Sequence, residues 1–399
     1  MVKVILKKGR DESLKRFHPW VFSGAIAQIT GNPAEGDIVS VYSAEGNFLA
    51  AGHYQIGSIA VRVLSFDSDV LAPDFWQIML QRALQVRIAA GLAHNEGSGT
   101  NCYRLVHGEG DNLPGLIIDY YDGVCVMQAH SVGMFRAKKQ ICEALQKVYG
   151  DSLKAVYDKS SGTAPFKAGL ELVDGYLYKA EGFDDSEQVV LENGNKFLVN
   201  WTEGQKTGFF LDQRENRNLV ARYAKGRNVL NLFCYTGGFS IYALNAGAKH
   251  VDSVDSSRKA MDMVDRNVAL NGFDSTRHTS FCDDAIEFVK KAPADKYDLM
   301  IVDPPAFAKH RGALNNALRA YQRLNAAAIS RVAPGGFVFT FSCSQVVDKE
   351  AFALAVFSAA AQAGRSVRIL DRLNQPADHS VNIYHPEGEY LKGLLLYVE

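Results

Sequence analysis

Apolar and polar positions change their period twice along the chain, and the changes divide it into three stretches: 1–73, 74–185 and 186–399. The first stretch alternates with the period of two that strands show. Residues 2–6 alternate, 36–42 and 48–54 flank the turn Ala44-Glu45-Gly46-Asn47, and 59–64 form a further apolar run. Two such runs around a short polar turn predict a hairpin, and the whole predicts a small all-β barrel. The second stretch is mixed. A helix is predicted from Asp74 to about Ala90, on the spacing of Phe75, Ile78, Met79, Leu80, Ala83, Leu84 and Ile88. A Gly/Ser-rich linker over 94–101, strands at 103–107, 116–119 and 124–129, a helix over 135–149 and a short strand at 155–157 complete it.

The third stretch switches regularly between the two periods. A hairpin (189–191 and 197–199 around Glu192-Asn193-Gly194-Asn195) leads in. Strands at 228–233, 248–254, 279–281, 297–302 and 336–341 then alternate with helices at 239–245, 257–271, 285–291, 314–332 and 349–364. Ser256 or Ser257 offers an N-cap for the second helix. Strict strand–helix alternation predicts an α/β domain with a doubly wound parallel sheet. The expected chain is thus a small β-barrel, an α+β middle domain and a doubly wound domain.

Composition narrows what these domains do. A 47% hydrophobic content across 399 residues is enough for real cores. The net charge of −1 leaves no global field to attract nucleic acid, so any such site must be a local patch. One exists at the start, where Lys3, Lys7, Lys8, Arg10, Lys15 and Arg16 stand against Asp11 and Glu12, a local +4. A solvated face explains the same charges equally well. Six cysteines are scattered without a C-x-x-C pair or a histidine pair at zinc spacing, which predicts reduced thiols and no metal site. The apolar stretch at the N-terminus is too short for a signal peptide, and no run approaches the roughly 18 apolar residues of a membrane span, so a cytoplasmic protein with no membrane partner is expected.

The candidate chemistry lies at the ends of the third stretch's strands, where open α/β sheets keep their ligands. After the first strand comes Tyr235-Thr236-Gly237-Gly238, whose glycines allow a ligand close to the backbone. The motifs of a dinucleotide pyrophosphate or an NTP site are missing. Asp255 closes the next strand, 18 residues after Gly237, where a carboxylate can accept from ribose hydroxyls. Asp283-Asp284 follows the third strand, where a carboxylate can accept from an adenine amine. Each element alone also fits an ordinary turn or helix start. Together they predict an adenosine-containing cofactor without a pyrophosphate, S-adenosyl-L-methionine.

Asp303-Pro304-Pro305-Ala306-Phe307 ends the fourth strand, with prolines fixing the backbone at a substrate's edge. The fifth strand runs through Gly336-Phe337-Val338-Phe339-Thr340-Phe341 into Ser342-Cys343-Ser344. A cysteine beside a core strand is usually structural. Cys343 differs in lying past the strand end, in a polar turn opposite Asp303. Carbon 5 of a pyrimidine is a poor nucleophile, and a thiolate added at carbon 6 turns it into an enamine-like carbon that takes a methyl group. Asp303 is placed to hydrogen-bond or protonate ring N3.

Lys7-Lys8-Gly9-Arg10 followed by His18-Pro19-Trp20-Val21-Phe22-Ser23-Gly24 resembles the opening of the PUA domain, an RNA-binding barrel, of a family of bacterial ribosomal RNA methyltransferases. The order Y-T-G-G-F (235–239), V-D-S-S (254–257), D-P-P-A-F (303–307) and F-S-C-S (341–344) resembles the bacterial large-subunit (23S) ribosomal RNA 5-methylcytosine methyltransferases. So do the segment 206–214 and the tail 384–393. The resemblance spans essentially the whole chain. It implies a Rossmann-like class I methyltransferase domain, S-adenosylmethionine, a cytosine in large-subunit ribosomal RNA as substrate and Cys343 as nucleophile, with RNA held by Lys7, Lys8 and Arg10. Gln213 and Arg214 are expected at the methionine end of the cofactor, where an arginine can pair with its carboxylate, although a packed hairpin exit fits them too. One departure is visible, since Ala306 stands where the family often carries lysine. The base that removes the carbon 5 proton is unassigned, with His379, His385, Glu387 and Glu389 as weak candidates. A guanine N-methyltransferase and a non-catalytic ribosome-assembly factor are the alternative readings, and a homodimer is left open.

Overall fold

The strands and helices expected from the pattern recur in a computed structural model of the chain, which describes residues 2–68, 71–94, 97, 99–165 and 169–399. The linker expected over 94–101 lies partly outside the described residues. The chain folds as two compact units: Met1–Gln188, Val199–Leu211 and Ala377–Gly388 form one, and Val189–Leu198, Asp212–Pro376 and Glu389–Glu399 the other. No helix among the described residues is long and apolar enough to cross a membrane.

The first unit holds two sheets. β1 (Val2–Leu6), β2 (Trp20–Phe22), β3 (Ile26–Thr30), β4 (Ile38–Tyr42), β5 (Phe48–Tyr54) and β6 (Ile59–Ser65) pair in the order β2-β6-β5-β4-β1-β3, with the short helix α1 (Glu12–Lys15) between β1 and β2. The alternating residues Val4, Leu6, Val39, Val41, Val61 and Val63 meet inside it. Gly52 is required where β5 crosses β6, since a Cβ there would lie 2.1 Å from the Arg62 carbonyl oxygen. The second sheet comprises β7 (Cys102–His107), β8 (Leu116–Tyr121), β9 (Val124–Ala129), β10 (Ala155–Asp158) and β11 (Gly175–Lys179), in the order β11-β10-β9-β8-β7. Against it pack α2 (Phe75–Ala89) and α4 (Lys138–Tyr149). The helix expected over 135–149 divides into α3 (Val132–Arg136) and α4, because Ser131 accepts from the Met134 N–H and starts a turn earlier than the apolar spacing indicates. Residues 377–388 return to this unit through buried charge. Arg87 is bidentate to Asp111 and donates to the Asp378 carbonyl (2.6 Å), while the Arg104 N–H donates to Asp378 Oδ2 (2.9 Å).

A hairpin of β12 (Glu187–Glu192) and β13 (Asn195–Asn200) carries the chain onward, its tip counted with the second unit. There β14 (Asn228–Leu232), β15 (His250–Asp255), β16 (His278–Cys282), β17 (Tyr297–Val302), β18 (Val332–Ser342), β19 (Val367–Asn374) and β20 (Lys392–Val398) form a seven-stranded sheet, ordered β16-β15-β14-β17-β18-β20-β19. The connecting helices are α5 (Arg214–Ala224), α6 (Gly238–Asn245), α7 (Arg258–Leu270), α8 (Ala285–Lys291), α9 (Leu314–Arg331) and α10 (Lys349–Ala363). The five strands β14–β18 run parallel as expected. The sheet is not wholly parallel, however: β20 runs antiparallel to both β18 and β19. The cause is the last connection, in which the chain passes from β19 back into the sheet without a crossover helix, and only an antiparallel return permits that. The solvent-facing edge strand β19 carries Arg368, Asp371 and Arg372, which hid its strand character. The strand order reverses between β14 and β17, so the carboxyl ends of β14, β15, β17 and β18 surround the crevice of the sheet.

Replacing Arg87 by Met leaves Asp111 buried without its cation, and removing one partner of a buried pair costs about 3–5 kcal/mol. Urea unfolding of Arg87→Met is therefore expected to show a markedly lower midpoint than that of the unaltered chain.

Candidate active site

The turn after β14 is held in an unusual backbone shape. Phe233 and Tyr235 have φ of 57° and 46°, a region that non-glycine residues seldom occupy. Asp255, at the end of β15, accounts for part of it. Its Oδ2 accepts from the Tyr235 N–H (3.0 Å) and its Oδ1 from the Ser257 N–H (2.9 Å), and each oxygen retains a second acceptor position. Asn267 Nδ2 donates to the Thr236 carbonyl (2.9 Å). Gly237 has φ 82° and starts α6; a Cβ on Gly238 would lie 3.0 Å from Arg217 Cδ. The turn is thus a bare backbone cradle with a carboxylate at its rim. Asp283 accepts from the Asp284 N–H (2.7 Å), and Asp284 caps α8 through the Glu287 N–H (2.9 Å).

At the neighbouring strand ends, Asp303 follows β17 directly and Cys343 follows β18. The register pairs Val302 with Thr340, which brings the two loops side by side. Gln213, buried before α5, donates from Nε2 to Asp303 Oδ2 (2.9 Å). Burial and the negative charge of Asp212 push Asp303 up to about 7, against that hydrogen bond. Burial, Asp303 and Asp212 together push the Cys343 thiol up to about 11. Every one of those causes disfavours negative charge, and protonating Asp303 removes one of them.

Three contributors escaped sequence reasoning. Tyr321 on α9 hydrogen-bonds with its hydroxyl to Ser342 Oγ (2.9 Å) and Ser344 Oγ (3.1 Å), gripping the turn on both sides of Cys343. Ser344 Oγ in turn accepts from the Ala308 N–H (3.4 Å), which joins the Cys343 turn to the D-P-P loop. Lys392, at the start of β20, donates to the Ser344 and Val347 carbonyls, both at 2.6 Å. Burial lowers its ammonium to about 8 against the opposing influence of Cys343 and nearby carboxylates, and its charge favours the thiolate. The signal for Lys392 was available: it is the one charge in Lys392-Gly393-Leu394-Leu395-Leu396-Tyr397-Val398, an otherwise apolar strand. The third contributor is Asp212 itself, whose charge acts on both Asp303 and Cys343.

The other expected residues differ in burial and partners. Arg214 is buried with Nε 3.5 Å from Glu192, whose carboxylate also takes two 2.8 Å hydrogen bonds from Arg217. Pro304 is buried and Pro305 exposed. Glu389 pairs at the surface with Lys349 (2.5 Å). His379, His385 and Glu387 belong to the first unit, where His379 contacts Asp378 and His385 packs against Trp20. Lys7, Lys8 and Arg10 are exposed in that unit. Among the described residues no cluster of His, Cys, Asp and Glu is arranged to hold a metal ion.

Residues 178–395 match the family described as S-adenosylmethionine-dependent methyltransferase, and residues 4–66 match a PUA-like domain. The chain is 40% identical over 399 residues to the ribosomal RNA large subunit methyltransferase I of Aeromonas hydrophila, covering 98% of each. It is likewise 40% identical over 396 residues to the protein of that name from Pseudoalteromonas translucida, again covering 98% of each. Two solved chains share the fold over their full length at 24% identity: a candidate methyltransferase complexed with SAH (TM-score 0.85) and a candidate SAM-dependent methyltransferase from Streptococcus mutans (TM-score 0.82).

Lys392→Met leaves two buried carbonyls without a donor, at about 1–3 kcal/mol for each such group. The variant is expected to lower the thermal midpoint and to slow any reaction of Cys343. Iodoacetamide labelling of the Cys343 peptide, followed by mass spectrometry, checks the thiol directly. With the thiol pushed up to about 11, labelling is expected to climb about tenfold per pH unit from pH 7 to 10 without a plateau, whereas an ordinary thiol levels off near pH 9.

Proposed function

The chain belongs to the S-adenosylmethionine-dependent methyltransferase family, among the ribosomal RNA large subunit methyltransferases I, and on that premise we propose that it methylates carbon 5 of a cytosine in large-subunit ribosomal RNA through a covalent adduct with Cys343. The observation that carries this reading is a cysteine turn held by Tyr321 and Lys392, with Cys343 beside a carboxyl group that keeps its proton to near neutral pH.

The residues fit the cofactor. Gly237 and Gly238 keep the turn free of side chains, since a Cβ on them would press on Val264 and Arg217, and Asp255 keeps acceptor positions for ribose hydroxyls. Tyr235, Thr236, Asp283, Asp284 and Gln213 complete its surroundings in this proposal. When bound, S-adenosylmethionine supplies an electrophilic methyl group. The chain's own residues do the rest. Cys343 Sγ forms a bond to carbon 6 of the cytosine, and the displaced π electrons pass through carbon 5 and carbon 4 to N3. Asp303 delivers its proton to N3, which neutralises the charge that develops there. Asp303 must be protonated and Cys343 ionised at the same moment. The two requirements reinforce each other, since a neutral Asp303 no longer opposes the thiolate. Pro304 and Pro305 stiffen the loop at the base's edge.

In this reading residues 1–73 hold RNA through Lys7, Lys8 and Arg10, residues 74–185 extend the RNA-facing surface, and residues 186–399 perform the reaction. With a net charge of only −1, that local patch is the anchor in this proposal.

Cys343→Ala is expected to abolish 5-methylcytosine formation while binding S-adenosylmethionine as the unaltered chain does, measured by calorimetry. RNA carrying 5-fluorocytosine is expected to trap a denaturation-resistant protein–RNA adduct. A methylated guanine with no trapped adduct would instead mark a guanine N-methyltransferase. Changing Lys7, Lys8 and Arg10 together to Glu is expected to weaken RNA binding at every sequence and to reduce the slope of log K against log salt by about two.

A further inference from the structure

The reaction proposed above leaves one step without an agent, the removal of the carbon 5 proton after methyl transfer. We infer that Asp212 is the catalytic base for that step, held for it by Tyr390. The inference rests on the covalent reading of Cys343.

Three observations converge on Asp212. Its position follows from its neighbour: Gln213 donates to Asp303 Oδ2 at 2.9 Å, so the backbone of Asp212 runs beside the strand end that carries Asp303. Its orientation is set by the Tyr390 hydroxyl, which donates to Asp212 Oδ2 at 2.6 Å. Tyr390 is itself anchored, because its N–H donates to Gln375 Oε1 at 3.0 Å. The other oxygen, Oδ1, is buried and has no hydrogen-bond partner among the described residues. A buried carboxylate oxygen left unmatched is costly to a fold, and a native protein keeps one where something else is to meet it. The charge of Asp212 also reaches both reacting groups, since it acts against ionisation of Asp303 and of Cys343.

The other carboxylates of the second unit near these groups are committed. Asp303 serves as the proton donor to N3. Glu389 pairs with Lys349, and Asp348 caps α10 through the Ala351 N–H at 2.7 Å. Two carboxyl groups in one pocket, one holding its proton and one offering an open oxygen, form an acid and a base.

The step balances. The methylated adduct carries hydrogen and methyl on carbon 5, the Cys343 sulfur on carbon 6, and a protonated N3. The carbon 5 hydrogen passes as a proton to Asp212 Oδ1. Its bonding pair becomes the carbon 5–carbon 6 double bond, and the carbon 6–sulfur bond breaks with its pair leaving on sulfur. The N3 proton returns to the Asp303 carboxylate. Asp212 then gives up its proton to water, and both acid and base are restored.

The test is single-turnover reaction of Asp212→Asn with ribosomal RNA and methyl-labelled S-adenosylmethionine. Asparagine keeps the shape and the hydrogen bond from Tyr390 but accepts no proton. The variant is expected to bind the cofactor normally and to accumulate methyl label in a denaturation-resistant protein–RNA adduct. Release of 5-methylcytosine should fall by about 100-fold or more, the scale of a lost general base. Adding Cys343→Ala should abolish the labelled adduct. Tyr390→Phe, which keeps the carboxylate but frees its orientation, should show the same accumulation to a smaller degree, and it replaces Asp212→Asn as the deciding variant if that protein fails to bind cofactor. Release at the unaltered rate, or loss of release without a labelled adduct, overturns the assignment of Asp212. The two levels of the claim separate: if the unaltered chain traps no adduct on 5-fluorocytosine RNA, the covalent reading itself fails, whatever Asp212→Asn does.

Discussion

The parallel pairing of β17 with β18 is the constraint on which the reacting end depends. Ladder hydrogen bonds put Val302 opposite Thr340, and from that register the chain has no freedom over where Asp303 and Cys343 emerge. A slip of one residue would turn every side chain of β18 to the other face and carry Cys343 with it. The loops that follow are then joined again by side chains. Ser344 accepts from the Ala308 N–H and meets the Tyr321 hydroxyl, so the two strand ends behave as one rigid rim. Preorganisation of this kind matters because a covalent attack needs the sulfur held before the base arrives.

Electrostatics gives the same rim its chemistry. The site is buried and rich in carboxylates, and both features oppose negative charge. Asp303 responds by keeping its proton up to about 7, which suits a donor to a ring nitrogen. The thiol responds by resisting ionisation up to about 11, which in isolation would make it inert. Lys392 is the counterweight, a buried ammonium lowered to about 8 that grips the turn through two carbonyls. Thiol, carboxyl and ammonium therefore act on one another's charge.

A second buried charge shapes the surroundings of the glycine turn. Glu192 sits at the tip of the β12–β13 hairpin and accepts from Arg217 and Tyr242, with Arg214 close by. These contacts bind the hairpin to α5 and α6, the two helices that frame the glycine turn. Arg217 also lies against Gly238, so the residue that balances Glu192 forms one wall of the cradle.

Much of this was legible in the sequence because its causes are local. Period-two and helical spacing are imposed by which face of a strand or helix is buried, so the β14–β18 alternation, a serine cap at 256 or 257 and the positions of Asp255, Asp303 and Cys343 at strand ends could be read directly. What spacing could not reveal were the contacts that bring distant segments together. That β20 returns antiparallel beside β18 is settled by how the chain closes its sheet, and with it comes Lys392, 49 residues beyond Cys343, to grip the Cys343 turn. That Arg217 pairs with Glu192 is decided by burial, which forces a carboxylate to find a cation. Asp212 and Tyr390, 178 residues apart, meet only in the folded chain. Sequence alone determined which groups stand at the strand ends; tertiary structure decided which of them share a pocket, because pKa and orientation are set by neighbours that no local pattern encodes.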